Sequence, residues 1–107
     1  MLTRQTIQAA AERLASAASA PCRVILFGSY ARDAADEGSD LDFMVIEREV
    51  ADKGAEYLRL RKAVGGVGTG VDLLVYPLNE FERRSQVPGT VPYWACKEGK
   101  VLHDGIA

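Results

Sequence analysis

Three aspartates stand in apolar runs where a lone carboxylate is out of place: Asp40 and Asp42 in "SDLDFMV", and Asp72 in "GVDLLVYP". Side chains of a strand alternate faces, so Asp40 and Asp42 point the same way, about 6 to 7 Å apart, while Leu41 and Phe43 turn to the core. An isolated Asp-x-Asp reads equally as a strand end emerging into water, or as a pair neutralised by Arg32. Asp72 shifts the balance, because it lies on the face opposite Val71 and Leu73 and can reach the same sheet face. Hard divalent cations take oxygen ligands, Mg²⁺ foremost. Two such ions about 3.5 to 4 Å apart clamp both ends of an in-line phosphoryl displacement. Three convergent carboxylates therefore suit metal-dependent nucleotidyl transfer.

The other half of such a site is a place for phosphate. Gly28 and Ser29 fall where an apolar run gives way to helix-tolerant residues; the glycine permits close backbone approach, and free N–H groups with the serine hydroxyl can hold a phosphate. Taken alone, the pair is a plain turn with a serine cap. The glycine-rich "GGVGTG" is a decoy: it precedes a strand and lacks the Gly-Lys-Ser/Thr of a P-loop, so it reads as a flexible loop. His103 has no acid or cysteine in a ligand or relay pattern and reads as a surface or edge residue.

The elements that must position these residues follow from periodicity. Ile7, Ala10, Ala11, Leu14 and Ala18 mark one face of a helix from Thr3 to Ser19, which Pro21 ends. Val24 to Phe27 is a strand buried on both faces. A helix is expected over Ser29 to Asp36, a strand over Leu41 to Ile46 that includes the aspartate pair, a helix over about Val50 to Val64, and a strand over Val71 to Tyr76 closed by Pro77. Asn79 can cap a short helix to Ser85, Thr90 a last helix to Lys97, and Lys100 to His103 adds an edge strand. The layering is α/β (α+β), a mixed sheet of three to four strands flanked by helices, in one domain spanning residues 1–107.

Composition bounds the partners. The 107 residues carry a formal net charge of -2, and their thirteen Lys and Arg are scattered rather than gathered into the stripe that duplex nucleic acid demands. Arg59, Arg61 with Lys62, and Arg83 with Arg84 read as solvated helix faces without a functional role. No apolar run approaches the ~20 residues of a membrane span, and no signal peptide is evident, so the cytoplasm is expected. Cys22 and Cys96 read as reduced core or near-core thiols. Trp94 reads either as core or as a partner contact, and the sequence leaves both open.

At this point "GSYARDAADEGSDLD" resembles the Gly-Ser-x-Ala-Arg... Ser-Asp-x-Asp motif of the minimal nucleotidyltransferases, the compact branch of the DNA polymerase beta-like superfamily. The similarity extends to the third acid at Asp72 and to the ending "ACKEGKVLHDG". It implies that Gly28 and Ser29, with Ser39, hold the triphosphate of ATP or another nucleoside triphosphate. It further implies that Asp40 and Asp42 bind two Mg²⁺ ions (or Mn²⁺), and that Asp72 binds one metal and activates the acceptor hydroxyl. Arg32 could neutralise phosphate or fix Asp40 by a bidentate pair. Many relatives have glycine after that arginine; here Asp33 adds a negative charge that could lower nucleotide affinity.

Larger relatives add a domain that grips the base or the acceptor, and nothing in this chain is left over to build one. Minimal nucleotidyltransferases are commonly paired with a small helical protein of the HEPN class, often a toxin. The resemblance thus implies an antitoxin that transfers AMP from ATP to a hydroxyl, a tyrosine foremost, of such a partner. Two alternatives stand beside it: a non-catalytic module that neutralises its partner by covering it, and transfer to a small molecule as in aminoglycoside nucleotidyltransferases.

Overall fold

The structure, a computed structural model, describes residues 1–106. Helix α1 (Arg4–Ala17) starts where the Thr3 hydroxyl accepts the Thr6 amide at 3.1 Å, and it buries the expected stripe of Ile7, Ala10, Ala11 and Leu14. Strand β1 (Cys22–Phe27) pairs antiparallel with β2 (Leu41–Glu47) on one side and with β4 (Lys100–Asp104) on the other. Strand β3 (Val71–Pro77) lies parallel to β2, as a crossover requires, with α2 (Lys53–Val64) as the connection. The sheet order is β3-β2-β1-β4.

Helices cover both faces, which is why β1 and β2 read as nearly continuous apolar runs. On one face Val24, Leu26, Phe43 and Val45 pack under α1 and under Leu60 and Val64 of α2. On the other, Ile25, Met44 and Ile46 meet Phe81 of α3 (Leu78–Ser85) and Ala95 of α4 (Val91–Glu98). No helix among the described residues is long and apolar enough to cross a membrane.

Four expectations change. No helix forms over 29–36: Arg32 N–H bonds the Gly28 carbonyl, Ala34 N–H bonds the Ser29 carbonyl, and Asp33 between them has φ 55°, so one helical turn is closed by a left-handed residue. Helix α2 starts at Lys53 rather than Val50, because the Asp52 carboxylate accepts the Ala55 amide at 3.1 Å and caps it there. Asn79 is not a cap, because β3 runs straight through Pro77 into α3 and Asn79 lies inside the first turn. Cys96 is exposed on α4, whereas Cys22 is buried as expected. Thr90 does cap α4, accepting the Tyr93 amide at 3.3 Å.

Candidate active site

The site is assembled at one end of the sheet, where β1 ends and β2 and β3 begin. Asp42 and Asp72 are register partners across the parallel β2–β3 pair, so their side chains leave the same face side by side. Phe27 is the antiparallel partner of Asp42 on the other flank. The next residue, Gly28, has φ 74°, and a Cβ there would sit 2.9 Å from the Asp42 Cγ and collide with its Oδ2. Glycine is thus required twice over, by the left-handed backbone and by the carboxylate that fills the space.

Asp40 stands just before β2, one residue outside the strand expected for it. Its carboxylate lies over Gly70, where a Cβ would come within 2.5 Å of Oδ1. The Leu41 amide bonds the Gly70 carbonyl at 2.9 Å, and the Thr69 hydroxyl bonds the Ser39 carbonyl at 3.0 Å. The end of the glycine-rich loop therefore braces the Asp-x-Asp segment. Ser39 turns its hydroxyl to Asp36, whose amide it accepts at 2.9 Å, and so holds the loop that delivers Asp40.

The electrostatics are those of acids short of positive charge. Burial, then a hydrogen bond with Asp72 and its charge, then the charge of Asp40, push the Asp42 carboxyl up to about 6, with Arg32 drawing it down. Crowding with Asp72 and Asp40 thus disfavours the ionised Asp42 wherever no cation offsets the charge. Among the described residues no three acids, thiols or imidazoles close into a ready metal cage. The donor set is nonetheless all hard oxygen, on residues that crowd negative charge, and this fits Mg²⁺ or Mn²⁺ rather than a soft metal.

Two residues here were not assigned to the site from the sequence. Arg61, expected on a solvated helix face, donates to the Val71 carbonyl at the start of β3 and joins Asp42 and Asp72 in lining a cleft of about 370 Å³. Tyr57, one turn before it on α2, lines the same cleft. Their i, i+4 spacing was the available clue. Arg32 pairs with Glu98 at 3.7 Å rather than with Asp40, although it remains near enough to lower Asp42. Asp33 faces Lys100 at 3.4 Å and lines a different cleft, beneath α1. Trp94 is 49% exposed, so the core reading of it is wrong.

Comparison with known proteins gives a family and two likenesses of fold. The nucleotidyltransferase domain family matches residues 7–93, and the chain belongs to that family. No curated protein sequence matches. Among solved structures, a toxin-antitoxin crystallised with AMP-PNP superimposes with a TM-score of 0.65 at 21% identity, covering 91% of this chain and 73% of that one. A candidate nucleotidyltransferase from Sulfolobus solfataricus superimposes with a TM-score of 0.64 at 19% identity, covering 94% of this chain and 78% of that one. At such identities the likeness is one of fold.

Proposed function

We propose that this chain transfers AMP from ATP to a hydroxyl of a protein partner, a tyrosine of a small helical HEPN-type toxin, and so acts as its antitoxin. The observation that carries the chemistry is the pairing of Asp42 with Asp72 in register, with the Asp42 carboxylate filling the space left open by Gly28. The likeness to a toxin-antitoxin fold with a nucleotide analogue supports the choice of partner and substrate.

Gly28 and Ser29 receive the triphosphate, and Asp40, Asp42 and Asp72 would hold two divalent cations. Those ions supply charge neutralisation and alignment for displacement at phosphorus. The acceptor hydroxyl oxygen bonds to the α-phosphorus as the bond to the β-phosphate oxygen breaks, pyrophosphate leaves, and the hydroxyl proton passes to Asp72. Ser39 acts by holding the Asp40 loop. Because Asp33 pairs with Lys100, its charge is partly offset there, which favours the enzymatic reading over a purely covering antitoxin.

The test is incubation of the chain with labelled ATP, Mg²⁺ and the product of the coding sequence adjacent to its own, which this reading expects to be a small helical protein. The expected result is a covalent nucleotide on that protein, mapped by mass spectrometry to a tyrosine. Silencing of the partner with no transfer would replace this reading by the covering antitoxin.

A further inference from the structure

We propose that the cleft between β1 and α4 is a nucleobase subsite, and that Trp94 is the platform on which the base of the bound nucleoside triphosphate stacks. This deepens the reading above and rests on it, because it needs the triphosphate to lie at Gly28 and Ser29. The cleft holds about 480 Å³ and is lined by Phe27, Gly28, Arg32, Val91, Trp94 and Glu98. It adjoins the acidic cleft, Phe27 and Val91 lining both. A ligand anchored by phosphates at Gly28 thus has this space open beside it, within the size range of small-ligand sites.

The lining suits a flat, polar-edged aromatic ring. Trp94 is half-exposed, and its indole is set edge-on to the Tyr93 ring, with centroids 5.3 Å apart and an interplanar angle of 84°. Lys97 sits 5.2 Å from the centre of the Tyr93 ring on the same helix, which steadies this pair. Arg32 and Glu98 bring a hydrogen-bond donor and an acceptor to the rim, the two kinds of group a base edge requires. The competing aromatic, Tyr57, lines the acidic cleft with Arg61 on the flank of β3 and Asp72. In-line displacement puts attacking and leaving groups on opposite sides of phosphorus. With Asp72 as the base, that flank belongs to the acceptor and the Gly28 side to the departing pyrophosphate, while the nucleoside, which stays bonded to the same phosphorus through its 5′ oxygen, lies off that axis, and the cleft toward Trp94 is open to it.

Trp94 is the single tryptophan of the chain, so its emission reports on this cleft directly. The probes are Mg²⁺-ATP and Mg²⁺-tripolyphosphate, the second carrying the phosphates without a base. Both should bind in calorimetric titration, and only ATP should markedly change Trp94 emission. Trp94→Leu, which keeps apolar bulk but removes the flat ring, should weaken ATP about tenfold or more while leaving tripolyphosphate unchanged. Trp94→Phe, which keeps a ring, should fall between and serves if the leucine variant does not fold. ATP affinity unchanged in both variants overturns the subsite, as does a loss in Tyr57→Ala in place of Trp94. If the variants keep ATP but lose the partner, Trp94 belongs to the protein interface and the subsite is wrong. Failure of the wild-type chain to bind either probe removes the phosphate site itself, and this inference with it.

Discussion

Strand β2 carries a pair-forming acid near each end, and the two pairs are balanced in different ways. Asp42 meets Asp72 at an open cleft on the α3–α4 face; Glu47, five residues on, meets Glu56 of α2 under the α1–α2 layer. Glu47 is fully buried, and neither of its oxygens has a hydrogen-bond partner in bonding geometry. Burial, then the hydrogen bond and charge of Glu56, raise it to about 8; the Ala20 and Ser19 amides lower it only in part. Burial acts to raise Glu56 as well, but Glu47, Ser19 and Arg59 outweigh it, with the Ser19 hydroxyl at 2.6 Å. At neutral pH Glu47 therefore keeps its proton, beside the Glu56 carboxylate. Burial and the same two acids also push the Cys22 thiol up to about 11, so it is inert. A sealed acid pair is completed by a proton from within. An open one, with glycines cleared from around it, is left for charge from outside.

The largest effect expected from this contrast is on transfer. Asp72→Asn should lower nucleotide transfer about 10²- to 10⁴-fold, with partner binding nearly unchanged, because the hydroxyl loses its base. Asp40→Asn with Asp42→Asn should abolish metal-dependent ATP binding yet leave the fold intact. Its melting temperature without metal should equal or exceed that of wild type, because mutual repulsion is relieved. Nucleotide affinity that survives in the double variant would remove the acids from the site.

Gly28→Ala comes next. The left-handed backbone costs a non-glycine residue about 1 to 3 kcal/mol. Its methyl must also displace the Asp42 carboxylate, so both melting temperature and nucleotide affinity should fall. A variant as stable and active as wild type would show that the close packing of Gly28 on Asp42 is dispensable.

Glu47→Gln tests the sealed pair by pH. The folded chain holds the Glu47 proton up to about 8, whereas the unfolded chain releases it near its ordinary value of about 4.3. Folding thus takes up a proton between these values, so this contribution to stability is complete at the acid end and is lost as pH rises through about 8. Glutamine has no proton to lose. Thermal melts should show the variant near wild type at about pH 5 and above it at about pH 9, a difference that grows through the window. Parallel melting curves across that range would mean that Glu47 ionises freely.

Asp33→Gly should have the smallest effect. Glycine accepts the φ of 55° without strain but loses chain entropy on folding, so stability should change by no more than about 1 kcal/mol. Nucleotide affinity should also stay put, because Asp33 faces Lys100. A marked rise in affinity would return Asp33 to the phosphate site.

Strand and helix order was legible wherever hydrophobic period was strong, as in α1, β1, β2 and β3. The 29–36 turn was not, because a single residue with positive φ stops it and Asp33 gives little local warning. Arg61 was missed for a different reason. Its value lies in reaching the Val71 carbonyl on another element, whereas its neighbours in sequence look like an ordinary polar helix.

The sequence by itself determined the apolar strands, the three acids that interrupt them and the glycine before Ser29, because strand alternation and backbone sterics are local. Only the tertiary structure decided the rest. Register across β2 and β3 set Asp42 beside Asp72, and the parallel crossover through α2 brought Tyr57 and Arg61 to the same cleft. The fold left Trp94 half-exposed next to Gly28, and it sealed Glu47 away from water with Glu56. Burial and pairing are properties of the assembled layers. Aspartate and glutamate on one strand thus part ways, one facing an open cleft and one holding its proton in the core, according to which layer covers them.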